Sequence, residues 1–338
     1  MIKGLLTIKE KLKSFYAGYG VYLNHFLKFL LAFATFMLIG KAIGTNEILS
    51  NGLICFAVAL LCAFVPINVT VICATVFAII HLFGMSIELA IIATVVVLII
   101  YLLYFRFAPK TGILMVITPL LFYIKIPYVI PVIASLSVGI TGIIPVVCGT
   151  FIYYLINFAS QYSSAISTLD ADTALQNIQF IFNNILNNKE LIIVAVAFSV
   201  AILIISMVKK LSVKYSWIIA IVAGTVINAI VIIVSFSIVS VGYSLGAIIG
   251  GTFLAIFIGL VMVLFVFSVN YSATEYVQFE DNDYYYYVKA VPKIHITQKE
   301  NVIKNINAEE IDRGFIHEEK YEDDFSAEQE DTEYEENN

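Results

Sequence analysis

The residues best suited to chemistry in this chain lie inside an apolar stretch near its middle. Between positions 106 and 150 the sequence carries Lys125, Pro127, Pro131, Ser135, Ser137 and Thr141. Pro119, Pro145, Gly139 and Gly142 interrupt the same stretch. Proline removes a backbone donor and collides with the preceding turn, so these residues cannot form one or two smooth helices. A helix broken within hydrocarbon leaves carbonyls and amides free to hold an ion or a polar solute at mid-membrane depth. The six residues are therefore the candidate pathway, and Thr150 adds a further hydroxyl. The chemistry they offer is recognition rather than bond-making. The same residues are also compatible with a plainer role, in which Lys125 snorkels to an interface and the prolines shape turns between short spans.

Signatures of other chemistry are missing. The sequence has no HExxH, GxSxG or P-loop motif and no paired aspartates on adjacent spans, so no catalytic residue and no enzyme activity are expected. Cys55, Cys62, Cys73 and Cys148 all fall in apolar runs without ligand spacing, which points to packing residues and to no metal or other cofactor. Between positions 20 and 160 the only carboxylates are Glu47, in a loop, and Glu88, near a span end. Together with a His81 expected at an interface, this argues against a carboxylate proton relay. Asn68, Asn157 and Asn228 read as partners in hydrogen bonds between helices.

The elements that must position these residues follow from composition. Of the 338 residues, 60% are hydrophobic and only 13% charged, with a mean hydropathy of +0.93. A water-soluble domain carries about 25% charged residues. The excess apolar surface calls for hydrocarbon, and the expected fold is an all-α polytopic membrane protein. Spans are expected near 27–43, 49–65, 67–83, 87–105, 190–208, 216–239 and 243–271. The stretch 111–159 must cross an odd number of times, as three short spans or as one span with re-entrant pieces. The total is thus eight to ten transmembrane helices around a broken or re-entrant central region.

Charge sets the expected topology. Basic clusters at Lys3 to Lys13, Arg106/Lys110 and Lys209/Lys210/Lys214 flank spans, and the positive-inside rule places them, with both termini, in the cytoplasm. The net charge of −6 conceals two halves: the first 273 residues are net +7 and the remainder net −13. The bases lie at helix ends and form no patch, so nucleic acid is not expected as a partner. The domain order read from these patterns is a basic amphipathic helix at 1–26, a first membrane bundle at 27–159 and an extracytoplasmic amphipathic loop at 160–189. A second bundle at 190–271, a cytoplasmic β-hairpin at 272–303 and an acidic disordered tail at 304–338 complete it. Residues 1–26 suit either the headgroup layer or the cytoplasmic face of the bundle.

Small residues recur in the last span. Gly242, Gly246 and Gly250 form one row, and Gly251, Ala255 and Gly259 form another on a neighbouring face. Such rows allow helix backbones to approach closely, within the chain or between copies as a homo-oligomer.

The stretches FRFAPKTGILMVITPLLFYIKIPYVIP and EYVQFEDNDYYYYVKAVPKI are similar to stretches in multi-pass membrane proteins of anaerobic Gram-positive bacteria. That resemblance implies a bacterial plasma-membrane location and brings no activity or site residue with it. The expected function is a transporter or permease-like protein for a small solute. The alternative is a non-transporting membrane scaffold or assembly subunit that recruits a cytoplasmic protein through its hairpin and acidic tail. In either case the lipid bilayer is the first partner.

Overall fold

The computed structural model describes residues 2–166, 179–181, 184–185, 187–240, 242, 244–266, 275–280 and 285–290. The acidic tail, the turn residues 281–284 and most of the expected amphipathic loop lie outside the described residues. The chain is mostly helical, and among the described residues six helices are long and apolar enough to cross a membrane.

The first helix, α1 (Ile2–Ala42), has 41 residues and is about 61 Å long at ~1.5 Å per residue, twice the thickness of a hydrocarbon core. The expected amphipathic segment and the first expected span are continuous in this helix. No proline interrupts the sequence, and Gly18 and Gly20 are too isolated to break the helix. The packed half of α1 runs antiparallel to α2 (Gly52–Phe64). The rings of His25 and Phe64 lie 5.5 Å apart, Phe29 meets Phe56 edge-on at 5.2 Å, and Gly40 lies against Ser50.

Proline sets where the next helices begin and end. Val65 and Pro66 are extended, which ends α2 after 13 residues and begins α3 (Ile67–Phe83) with no intervening loop. The α4 helix (Ile87–Phe107) starts at Ser86, whose hydroxyl accepts from the Leu89 amide. The stretch 111–159 then breaks into α5 (Gly112–Tyr123), a 3₁₀ turn at Pro127–Val129, α6 (Ile130–Ser137), a second 3₁₀ turn at Gly139–Gly142, and α7 (Ile143–Ile166). Three long helices complete the bundle: α8 (Lys189–Val208), α9 (Ser216–Val239) and α10 (Leu245–Phe265).

Of the eight to ten expected spans, six are helices long and apolar enough for a full crossing among the described residues. Pro66 cuts one apolar run into helices of 13 and 17 residues, and the prolines and glycines of the middle cut another into helices of 12 and 8. The short helices form two hairpins of opposite sense. In the first, α2 and α3 meet at Pro66. In the second, α5 and α6 meet at residues 124–126. Contacts fix the directions. Gly149 lies against Thr118 and Met115, and Tyr153 stacks on Phe122 at 4.4 Å, so α5 and α7 are parallel. Gly142 lies against Ala134, so α6 returns to the level where α7 begins. The side chain of Lys209, after α8, reaches the end of α6. Arg106, Lys110 and Lys209 therefore mark one end of the bundle, called here the basal end, and the second hairpin enters from it.

Packing depends on small residues. A Cβ at Gly224 would lie 2.1 Å from Ile205 Cγ1, so α8 and α9 approach as closely as their backbones allow. Lipid supplies no hydrophobic drive between helices, and such close packing replaces it. The outside is covered by large apolar side chains such as Leu53, Leu61, Leu102, Phe253 and Phe257, each more than 60% exposed. A surface of this kind suits hydrocarbon and would aggregate in water. After α10, strands β1 (Glu275–Glu280) and β2 (Tyr285–Ala290) pair antiparallel, with Glu275 opposite Ala290 and Glu280 opposite Tyr285.

Candidate functional site

The site is built on the tip of the second hairpin. Helix α5 ends at Ile124, and the next two amides turn back onto the last turn: Lys125 N–H donates to Phe122 C=O at 3.0 Å, and Ile126 N–H to Leu121 C=O at 2.9 Å. This pair of bonds defines a Schellman motif, in which the first residue past the helix is left-handed and is usually glycine. Here that residue is Lys125, with φ of +63°. A side chain in this conformation costs on the order of 1 kcal/mol relative to glycine. Pro127 follows two residues later, where it cannot prolong the helix. The tip thus holds an exposed lysine on a backbone that would favour no side chain at all.

Above this tip lies a cavity of about 270 Å³. Lys125 and Pro127 form part of its wall, Tyr128 and the α7 pair Tyr153 and Tyr154 another part, and Glu190, in the first turn of α8, the rim. Phe122, Phe198, Ile232 and Phe236 supply the apolar floor. The aromatic wall is held by ring contacts. Tyr153 is sandwiched by the stack on Phe122 and an edge contact with Tyr123 at 5.4 Å, and Phe122 also meets Phe198 at 5.9 Å. The carboxylate of Glu190 acts on the hydroxyl of Tyr154 and lies within electrostatic reach of Tyr128 and Tyr153. Asn188 caps α8 by accepting from the Leu191 amide at 3.1 Å, which orients the turn bearing Glu190. Lys125 and Glu190 do not form an ion pair with each other.

Both legs of the hairpin are anchored at the basal end. On the α5 side, Asn68 Nδ2 donates to Pro109 C=O at 2.8 Å, and the Tyr104 hydroxyl sits 2.9 Å from Asn68 Oδ1 and 3.0 Å from the same carbonyl. Gly112 is required beside this cluster, because a Cβ there would lie 2.5 Å from Asn68 Oδ1. On the α6 side, the Lys209 ammonium donates to Ser135 C=O and, at 3.4 Å, to Leu136 C=O, and lies 5.6 Å from the Trp217 ring centre. A cation on terminal carbonyls complements the negative end of α6.

The six candidate pathway residues are not brought together. Lys125 and Pro127 line the cavity. Pro131 and Ser135 are buried in α6, and the Ser135 hydroxyl donates to Val132 C=O at 3.0 Å. Ser137 and Thr141 lie toward the basal end and donate to Ile133 and Val138 carbonyls. Each of these hydroxyls donates its proton to a carbonyl of its own helix or turn. Sequence reasoning passed over Glu190 and the tyrosines. One signal was present: Glu190 is one of only six acids in the first 273 residues, and it directly precedes a long apolar run.

Other polar residues have clear places. His81 is fully buried rather than interfacial, because the loop after α1 folds over it. The Thr45 hydroxyl donates to the His81 carbonyl, Asn46 N–H points at Nδ1 from 3.4 Å, and Nε2 has no hydrogen-bond partner among the described residues. Asn68 joins helices as expected, whereas the buried Asn228 leaves its Oδ1 unpaired. Cys55, Cys62 and Cys148 are buried and Cys73 half-buried, all as free thiols, and among the described residues no three His, Cys, Asp or Glu side chains are grouped to hold a metal ion.

The two glycine rows of α10 differ. Gly251 lies beneath the Tyr128 ring, where a Cβ would fall 2.1 Å from Cδ2, and Gly259 lies against Val132 and Ile221. That row, with the buried Ala255, seats the second hairpin. A Cβ at Gly242 or Gly250 would meet nothing within 4 Å, and at Gly246 only the Ser244 hydroxyl at 3.9 Å. No protein-family model, curated protein or solved structure matches the chain.

Proposed function

We propose that this chain is a permease-like carrier of a bacterial plasma membrane, moving a small polar solute through the cleft at the tip of its second hairpin. The observation that carries this reading is a lysine held in a left-handed turn at the wall of a cavity of about 270 Å³, between helices that reach both ends of the bundle. A charged residue at a helix break in a membrane bundle is a candidate marker of a solute or ion path. The basal end, with its lysines and arginine, faces the cytoplasm under the positive-inside rule, so the cleft opens outward. No chemical conversion of the solute is involved.

Uptake by proteoliposomes containing the purified chain tests the reading. Lys125→Gly relieves the backbone and deletes the charge, so it should lower uptake by about tenfold or more while raising thermal stability. Uptake at the wild-type rate would end the proposal.

A second reading has its own support. Tyr286, Tyr287 and Val288 of β2 are exposed, with Tyr287 75% accessible, and an isolated two-stranded hairpin is marginal in water. Under this reading the chain is a scaffold whose strands recruit a cytoplasmic partner. Deletion of 275–338 should then abolish function in cells while Lys125→Gly leaves it intact.

A further inference from the structure

The cleft says more about its solute than size. We infer that it binds a zwitterion, with an anionic group toward Lys125, an ammonium toward Glu190 and an apolar or aromatic arm against Tyr153 and Phe122. This deepens the carrier reading and rests on it for the route, though not for the binding.

Lys125 and Glu190 line one cavity and do not neutralise each other. Both side chains are exposed at the cavity, so each charge is accessible to a solute there. A solute that is only an anion satisfies Lys125 and is repelled by Glu190. One that is only a cation meets the reverse. A solute carrying both charges matches both ends at once. The tyrosines fit the same ligand. Glu190 lies beside Tyr128, Tyr153 and Tyr154, so an ammonium drawn to the carboxylate also meets aromatic faces. Phe122 and Tyr153, stacked on each other at 4.4 Å, both line the cavity and give it an apolar side for such an arm. A cavity of about 270 Å³ lies just below the range for drug-sized ligands, roughly 300–1,000 Å³, which suits a molecule of amino-acid size. The same pair of charges occurs in a free α-amino acid and in an ethanolamine phospholipid headgroup.

Calorimetry on the full chain in phosphatidylglycerol nanodiscs tests this with three probes: L-phenylalanine, 2-phenylethylamine and 3-phenylpropanoate. L-Phenylalanine should bind about tenfold or more tightly than either singly charged probe. Preference should then cross over in the variants. Lys125→Gly should bind 2-phenylethylamine at least as well as L-phenylalanine, and Glu190→Gln should do the same with 3-phenylpropanoate. This crossover is a gain of binding that a misfolded variant could not show. Adding phosphatidylethanolamine to the nanodiscs separates the sources: competition with L-phenylalanine identifies a lipid headgroup, and undiminished binding a free solute. A singly charged probe that equals L-phenylalanine on the wild-type chain, or an unchanged order of probes in both variants, overturns the inference. Zwitterion binding without uptake would sink the carrier reading alone. Uptake of another solute class that depends on Lys125 would sink the zwitterion alone.

Discussion

The two helical hairpins solve the same problem in opposite ways. Each pairs two short helices and must turn without leaving buried amides or carbonyls unpaired, but the first turns at the basal end, beside Pro109, and the second within the bundle. At the tip of the first, the solution is closure. Lys28 reaches Val65 C=O at 3.4 Å, the Thr70 hydroxyl reaches Cys62 C=O at 3.5 Å, and Asn68 fastens the start of α3 to Pro109. At the tip of the second, the backbone closes on itself through the Schellman bonds, and side chains are left free to line a cavity. A turn whose backbone needs no help from side chains can present a charge. A turn that consumes its neighbours' side chains cannot. The first hairpin therefore reads as frame, and the second carries the candidate site.

The largest effect is expected at the seat of the second hairpin. Gly251→Leu drives a side chain into the Tyr128 ring and should cost about 3 kcal/mol or more, seen as loss of monodisperse protein in detergent. Gly250→Leu, one residue away on the open row, should leave the elution profile unchanged. A next and smaller effect belongs to the frame. Asn68→Ala removes the bridge between α3 and the α4–α5 loop and should cost about 1–2 kcal/mol, measurable as a lower Tm. If the first hairpin is frame only, the binding order of the three charge probes should survive that change in the folded fraction.

At the tip itself the sign reverses. Lys125→Gly should stabilise the chain by about 1 kcal/mol, since glycine suits the left-handed turn, and a lower Tm would show that the lysine side chain supports the fold instead. The smallest effect concerns the anchor of α6. Burial, and then the charge of Lys210, lowers the pKa of Lys209 below its usual 10.5. The folded chain then binds fewer protons at this site than the unfolded chain in the interval just below 10.5, so this residue makes stability rise with pH across that interval. Lys209→Met should flatten that part of the stability profile, and an unchanged slope would show that Lys209 does not contribute to it.

Much of the frame was legible in residue types. The break at Pro66 was visible, as were the fragmentation around Pro119 to Pro145 and a role for Asn68 in joining helices. The limits of legibility are equally specific. Ser135, Ser137 and Thr141 carry hydroxyls of the right kind, yet a hydroxyl in a helix can always satisfy a carbonyl three or four residues back, and nothing local reveals which it does. Glu190 is remote from Lys125 in the chain, so no window along the sequence connects them. The glycine rows of α10 were both visible, but which row meets a neighbour depends on how α10 is rotated against Tyr128 and Val132.

By itself, then, the order of residues determined the solvent, the breaks and the helical class, because hydropathy and proline act locally and through composition. Only the tertiary structure decided which polar groups are consumed and which are left over. That outcome depends on distances between helices remote in the chain, and a charge becomes a binding group only when its neighbours leave it unpaired.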